Sequence, residues 1–172
     1  AGTAMYYLGI RANGAPFNDV RLRTAVSLSV DRSGAVSAGQ IVLSGNVSQV
    51  LRIVDPNITN PLVALAFDLA RAMMLRDEAG YPGGFDVGLL VTSADVWLAS
   101  EIKSYLADIG INVTVEIAQT SDYIAKRDAG LFQLIIVSTT VPSSGTPELL
   151  GRLFLTTGTE NYTGFSSSDF DT

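Results

Sequence analysis

Residues 85–137 read FDVGLLVTSADVWLASEIKSYLADIGINVTVEIAQTSDYIAKRDAGLFQLIIV, and the class of the fold rests on this stretch. Phe85, Val87, Leu89 and Val91 alternate with their neighbours as strand residues do. Ser93 or Asp95 then caps a helix whose Leu98, Ile102, Tyr105, Leu106 and Ile109 share one face, and Gly110 supplies a left-handed stop. Ile111, Val113, Val115 and Ile117 alternate strictly with polar residues, which predicts a strand with one face in the core. Ser121 is expected to cap a short helix ending at Gly130. Phe132 to Val137 is apolar nearly throughout, as in a strand covered on both faces, so it belongs in the centre of a sheet. Strand, helix, strand, helix, strand with short connections is the signature of parallel neighbours, and the expected class is α/β with a mostly parallel sheet and flanking helices.

Upstream, Met5 to Arg11 is β-prone and ends at the turn signal Asn13-Gly14. The stretch DVRLRTAVSLSVDR, from Asp19 to Arg32, repeats Leu22, Val26 and Val30 at helical spacing, with Asn18 placed to cap it. Ser33 to Ala38 suggests a second short helix, and Gly39 to Pro61 shows no sustained period and suggests a long loop. From Leu62 to Ala79 the residues Leu62, Leu65, Leu69, Ala72 and Met73 mark a helical face that Gly80 terminates, and Tyr81 to Gly84 reads as a turn. Downstream, a short helix is expected from Glu148 to Phe154, and the Thr/Ser/Gly-rich tail offers no second core.

At 172 residues the chain is long enough for one sizeable core and short for two, so a single domain is expected. An apolar fraction of 47% with 16% charged residues is that of a globular chain, and no apolar run approaches the roughly 18 residues that cross a bilayer. Lys+Arg 11 against Asp+Glu 17 leaves a net charge of -6, which repels nucleic acid and argues against it as a partner. Having neither Cys nor His, the chain lacks thiolate nucleophiles, the usual general base and the commonest metal ligand, which disfavours most hydrolytic chemistry. No cofactor, metal or catalytic residue is expected. The lack of Cys leaves the compartment open. Ala1-Gly2 begins no signal-like segment, so any secretion signal is expected outside this stretch.

In parallel α/β sheets ligands bind beyond the carboxyl ends of the strands, near helix N-termini. Those ends are Thr92-Ser93, Ala118-Gln119-Thr120 and Ser138-Thr139-Thr140, rich in hydroxyls and poor in charge, which suits binding better than catalysis. Thr92, Ser93, Ser138, Thr139 and Thr140 are therefore the candidate ligand residues, although each Ser or Thr also suits a helix cap. Trp97, the sole Trp, lies in the first turn of its helix, one residue off the apolar stripe; it either lines the cleft or packs. Asp169 and Asp171 have a spacing that hard cations use, but no further oxygens converge on them. Four Asn-x-Ser/Thr triplets, at Asn46, Asn57, Asn112 and Asn161, are what chance supplies in so Ser/Thr-rich a chain. No phosphate loop or dinucleotide fingerprint occurs. Lys103 and Lys126 lie on polar helix faces and read as solvated rather than as partners for a nucleophilic Ser.

Several segments, in order, resemble one family: the dipeptide, oligopeptide and nickel-type extracytoplasmic solute-binding proteins of bacterial ABC transporters. Ala15-Pro16-Phe17-Asn18-Asp19-Val20-Arg21 followed by Ala25 and Asp31-Arg32 is similar to the family's "P-F-x-D-x-R-x-R-x-A" and "D-R" pattern. Glu78-Ala79-Gly80-Tyr81-Pro82-Gly83-Gly84-Phe85 resembles its "E-A-G-Y-P-x-G-F" segment. Ile109-Gly110-Ile111, Tyr123-Ile124 and Gly130 with Phe132 continue in register, and Thr163-Gly164-Phe165 with Asp169 to Asp171 looks like its closing "T-G-Y-x-N-P-E-F-D". The resemblance implies the C-terminal lobe of a type II periplasmic-binding-protein fold. It also implies a second lobe absent from this stretch, hinge closure over a small-molecule or peptide-like solute, and delivery to a membrane permease. It further implies a periplasmic or extracytoplasmic location, lipid-anchored in a Gram-positive organism. Peptide-binding members follow the strand equivalent to Phe132–Val137 with a "G-W-x-x-D-x-x-D-P" loop, whose first Asp clamps the peptide ammonium. Here Ser138 to Gly145 (STTVPSSG) carries no acid and no Trp, so ordinary peptides with a free amino terminus are not expected to bind. Two alternatives compete with the receptor lobe: an enzyme of flavodoxin-like architecture, and a sensor that reuses the receptor fold.

Overall fold

The computed structural model describes residues 3–31, 66–141, 152–153, 156–166 and 168. The expected short helix at Ser33, the loop from Gly39 to Pro61 and the Asp169–Asp171 pair lie outside the described residues. So does the Glu148–Phe154 helix, apart from helical Arg152 and Leu153.

Strand β1 (Thr3–Ile10) leads through a turn to helix α1 (Val20–Ser29), and α2 (Leu69–Glu78) precedes β2 (Phe85–Thr92). A single 3-10 turn (Ser93–Asp95) opens α3 (Val96–Ala107), followed by β3 (Ile111–Ala118), α4 (Thr120–Ala129) and β4 (Leu134–Val141). The sheet order is β1-β4-β2-β3. β2 runs parallel to β3 along its whole length and to β4 at Leu89↔Leu134 and Leu90↔Ile135, as the strand-helix-strand pattern requires. β1 is an antiparallel edge, paired with β4 from Thr3↔Val141 to Ile10↔Leu134. The sheet is thus mixed, parallel in its strand-helix-strand part and antiparallel at one edge.

β4 is central, and Leu134, Ile135, Ile136 and Val137 are all buried, because both faces of this strand are covered. Alternation sends Leu134 and Ile136 to the first face, where Val87, Leu89, Val91, Ile111 and Val113 meet Leu22, Val26, Leu98, Ile102 and Leu106 of the helices. Ile135 and Val137 go to the second face, with Leu90, Ala118 and Tyr123 of α4. Each fully buried aliphatic side chain contributes about 1.5–3 kcal/mol of transfer free energy, so the larger first-face cluster dominates the core. The tail does contribute to packing: Tyr162 packs on the second-face cluster and Leu153 is buried.

The E-A-G-Y-P-G-G-F segment has a specific job. Gly84 and Gly110 both adopt positive φ (80° and 75°) where β2 and β3 begin, and Phe85 N–H donates to the Gly110 carbonyl at 3.2 Å. A Cβ on Gly84 would stand 1.9 Å from that carbonyl oxygen, so the two turns meet backbone to backbone and only glycine fits.

Several expected boundaries shift. Asp19, not Asn18, caps α1, accepting the Arg21 amide at 2.8 Å, and the helix ends at Ser29. α2 starts at Leu69 because the Asp68 carboxylate captures the Arg71 amide, leaving Ala66–Asp68 outside the helix. On α2 the buried residue is Ala72, while Met73 is exposed. Neither Ser93 nor Asp95 makes a capping bond to α3, and Gln119, not Ser121, occupies the cap position of α4. Ile117 is 57% exposed, since β3 runs beyond the helices that cover its earlier apolar residues. Ser138–Thr140 are strand residues of β4, because β1 supplies them a hydrogen-bonding partner that local sequence does not reveal.

Candidate functional site

The strand ends build the site. The pairing Leu89↔Leu134 makes Thr92, the last residue of β2, level with Val137, so Ser138–Val141 stand beyond β2 and pair only with β1. This two-stranded ribbon rises over the carboxyl edge of the parallel strands, beside the start of α3.

On the first face Tyr6 is directly opposite Ser138, and side chains so paired project to the same side. The Trp97 ring meets the Tyr6 ring edge-on, with centroids 6.1 Å apart and planes at 82°. Both rings remain open to solvent, Tyr6 at 39% and Trp97 at 42% exposure, and Ser138 is exposed. Trp97, expected either to line the cleft or to pack, thus lies at the strand ends with its outer face uncovered. Tyr6 is the residue that sequence reasoning missed; its place beside Trp97 follows from the β1–β4 pairing, for which no local signal exists.

The next residue behaves differently. Thr139 is 8% exposed and its hydroxyl donates to Glu160 Oε2 at 2.6 Å. Glu160 Oε1 in turn faces Arg152 Nη1 at 3.0 Å, and the Glu160 amide donates to the Arg152 carbonyl at 2.9 Å. The Thr139 hydroxyl is therefore engaged within the chain. Thr140 is paired in backbone register with Ala4. Around this second-face network stand Tyr7, Tyr123 and Tyr162. Tyr123 donates its hydroxyl to the Ile136 carbonyl, and burial pushes its pKa up to about 12. Burial, reinforced by Tyr162 and Glu160, also raises Tyr7. Arg127 lies over the Tyr162 ring at 4.3 Å, and Arg11 donates to the Tyr162 carbonyl at 3.0 Å, pinning the tail to the sheet.

Thr92 is half-buried and hydrogen-bonds Asp95, whose pKa is raised by desolvation against the lowering effect of that bond. Ser93 is exposed in the 3-10 turn. Of the six expected ligand residues, the fold thus brings Trp97 and Ser138 together through Tyr6, sets Thr92 and Ser93 at the adjoining turn, and turns Thr139 inward. The expected polar Lys126 is paired with Glu116 and Asp122. Farther down the second face, an open depression of about 340 Å³ is bordered by Gly88, Leu90, Glu116, Leu131, Phe132 and Gln133. The Gln133 side chain accepts the Gly88 amide there at 2.8 Å. Among the described residues no group of three or more acidic side chains could hold a metal, and no helix is long and apolar enough to cross a membrane.

Residues 1–161 match the family model described as bacterial extracellular solute-binding proteins, family 5, middle part. The chain belongs to this family. Heme-binding protein A of Haemophilus influenzae is 23% identical to this family 5 chain over 99% of the chain and 33% of the relative. The unliganded open form of MppA, a periplasmic murein tripeptide binding protein, superposes with a TM-score of 0.81 at 21% identity, covering 99% of the chain and 35% of that structure. HbpA2 from Haemophilus parasuis gives 0.76 at 22%, with 99% and 35% covered. These similarities show a type II periplasmic-binding-protein fold. The family 5 chain spans about a third of the length of the relatives it matches.

Proposed function

We propose that this chain is the C-terminal, ligand-closing lobe of a two-lobed solute-binding protein that delivers its cargo to an ABC permease on the outer side of the cytoplasmic membrane. The family match over residues 1–161 carries this reading. Its partners are a peptide-like or other small polar solute, the companion lobe of the same protein, and the permease. In a Gram-positive organism the parent would be lipid-anchored. A role in binding rather than catalysis follows the family, whose members are solute-binding proteins, and this displaces the flavodoxin-like enzyme.

The ligand surface of this lobe is the strand-end ribbon with its open Tyr6–Trp97 pair and Ser138, flanked by Thr92 and Ser93. Such a surface on one lobe is half a cleft, and closure of a second lobe over it buries the solute and the exposed rings together. The relatives named for heme and for a murein tripeptide show that the fold serves dissimilar cargoes, so the choice lies in the side chains at the strand ends. Mass spectrometry of solute co-purified with the full-length protein, followed by isothermal titration and small-angle scattering with that solute, tests the proposal. Tight binding with a contraction of the particle is expected. Absence of any bound or titratable solute, with no compaction, would overturn it.

A further inference from the structure

Trp97 has a fixed backbone and a less confined ring. Its neighbours on α3, Val96 and Leu98, pack into the first-face core and hold the start of the helix, whereas Trp97 itself is 42% exposed. A side chain so open to solvent is not restricted to one staggered rotamer by core packing. Tyr6 is placed the other way. It stands within the β1 ladder that runs from Thr3↔Val141 to Ile10↔Leu134, opposite Ser138, and the next residue, Tyr7, packs on the second-face cluster. The strand therefore sets the position of the Tyr6 ring independently of α3. The two rings meet edge-to-face, with centroids 6.1 Å apart and planes at 82°, an arrangement that aromatic quadrupoles favour. A ring held by a strand thus abuts a ring that its own helix leaves free to turn.

Resting on the receptor role proposed above, we infer that Tyr6 is a positioning residue for solute binding: its ring selects the Trp97 rotamer that presents the indole to the solute, and its effect on affinity passes through Trp97. An edge-to-face pair is strong enough to weight one rotamer about three- to tenfold over the others. Apparent affinity falls in proportion to the fraction of the competent conformer, so the same factor is what Tyr6 adds to binding. The Tyr6 hydroxyl is not needed for this, because ring edge and ring face make the contact. The edge strand β1 thereby shapes the ligand surface through a helix that it does not adjoin in sequence.

The test is isothermal titration of the full-length protein with the solute that mass spectrometry identifies in it, on Tyr6→Leu, Tyr6→Phe, Trp97→Ala and the double variant of Tyr6→Leu with Trp97→Ala. Tyr6→Leu should weaken binding about three- to tenfold, and Tyr6→Phe should recover most of that loss because it keeps the ring. In the Trp97→Ala background Tyr6→Leu should cost no further affinity, the coupling expected of a residue that acts through another. Thermal melting checks that each variant folds, and Tyr6→Val, which suits a strand, is the second ring-free variant. Three outcomes overturn the inference: wild-type affinity in a folded ring-free variant, an equal loss from Tyr6→Leu with and without Trp97, or a loss from Tyr6→Phe as large as that from Tyr6→Leu. In each of them the wild type still binds, so the receptor role stands and this inference alone falls. If no solute binds the wild type, both fall.

Discussion

Ser138 and Thr139 are adjacent in one strand and of the same chemical kind, yet they belong to opposite situations. Ser138 is exposed opposite Tyr6, near a Trp97 ring that faces solvent. Thr139 is buried and bonded to a Glu160 that Arg152 also holds, with Tyr7, Tyr123 and Tyr162 nearby. The first side of the ribbon is an unfinished surface and the second a finished one. A hydroxyl is a binding group only where the fold leaves its hydrogen-bonding capacity unused, and strand alternation decided that here between neighbours.

Substitutions on the two sides should therefore separate stability from binding. The largest effect is expected from Tyr123→Ala on the closed side, which empties a buried aromatic site and should cost about 3–5 kcal/mol in chemical denaturation. Glu160→Ala strips Thr139 and Arg152 of a shared partner and should cost about 1–3 kcal/mol, since the group is only partly buried. Alkali gives an independent probe. Because the folded-state pKa of Tyr123 lies near 12, above the ordinary value of 10.0, its contribution is complete below pH 10 and is lost as pH rises toward 12. The wild type should lose about 1–2 kcal/mol more than Tyr123→Phe across that window, as followed by urea titration at fixed pH. Trp97→Ala on the open side should change stability least, by less than about 1 kcal/mol, while weakening solute binding at least tenfold. A large loss of stability from Trp97→Ala with binding intact would invert the contrast between the two sides.

Much of the fold was legible locally. The alternating runs from Phe85 and Ile111, the apolar run before Val137 and the glycine stops at Gly80, Gly110 and Gly130 each announce an element by a period of two, a period of 3.6 or a left-handed residue, and the structure has all of them. Helix starts were less legible, because Asn18, Asp19, Asp68, Ser93 and Ser121 are all competent caps, and the cap used depends on where the chain arrives from outside the helix. The candidate site was legible only in part. Trp97 and the hydroxyl-rich strand ends could be named from spacing, whereas Tyr6, Asp95 and Glu160 acquire meaning through partners far away in sequence or through burial.

The sequence by itself determined an α/β chain with a parallel strand-helix-strand core and a family likeness in its turn motifs, since periodicity and glycine stereochemistry act over a few residues. Tertiary structure alone decided that β1 returns antiparallel along β4 and carries it past the end of β2. That long-range pairing puts Tyr6 beside Trp97 and sends Thr139 inward to Glu160. Contacts made across more than a hundred residues depend on which strands become neighbours, and no local pattern encodes that.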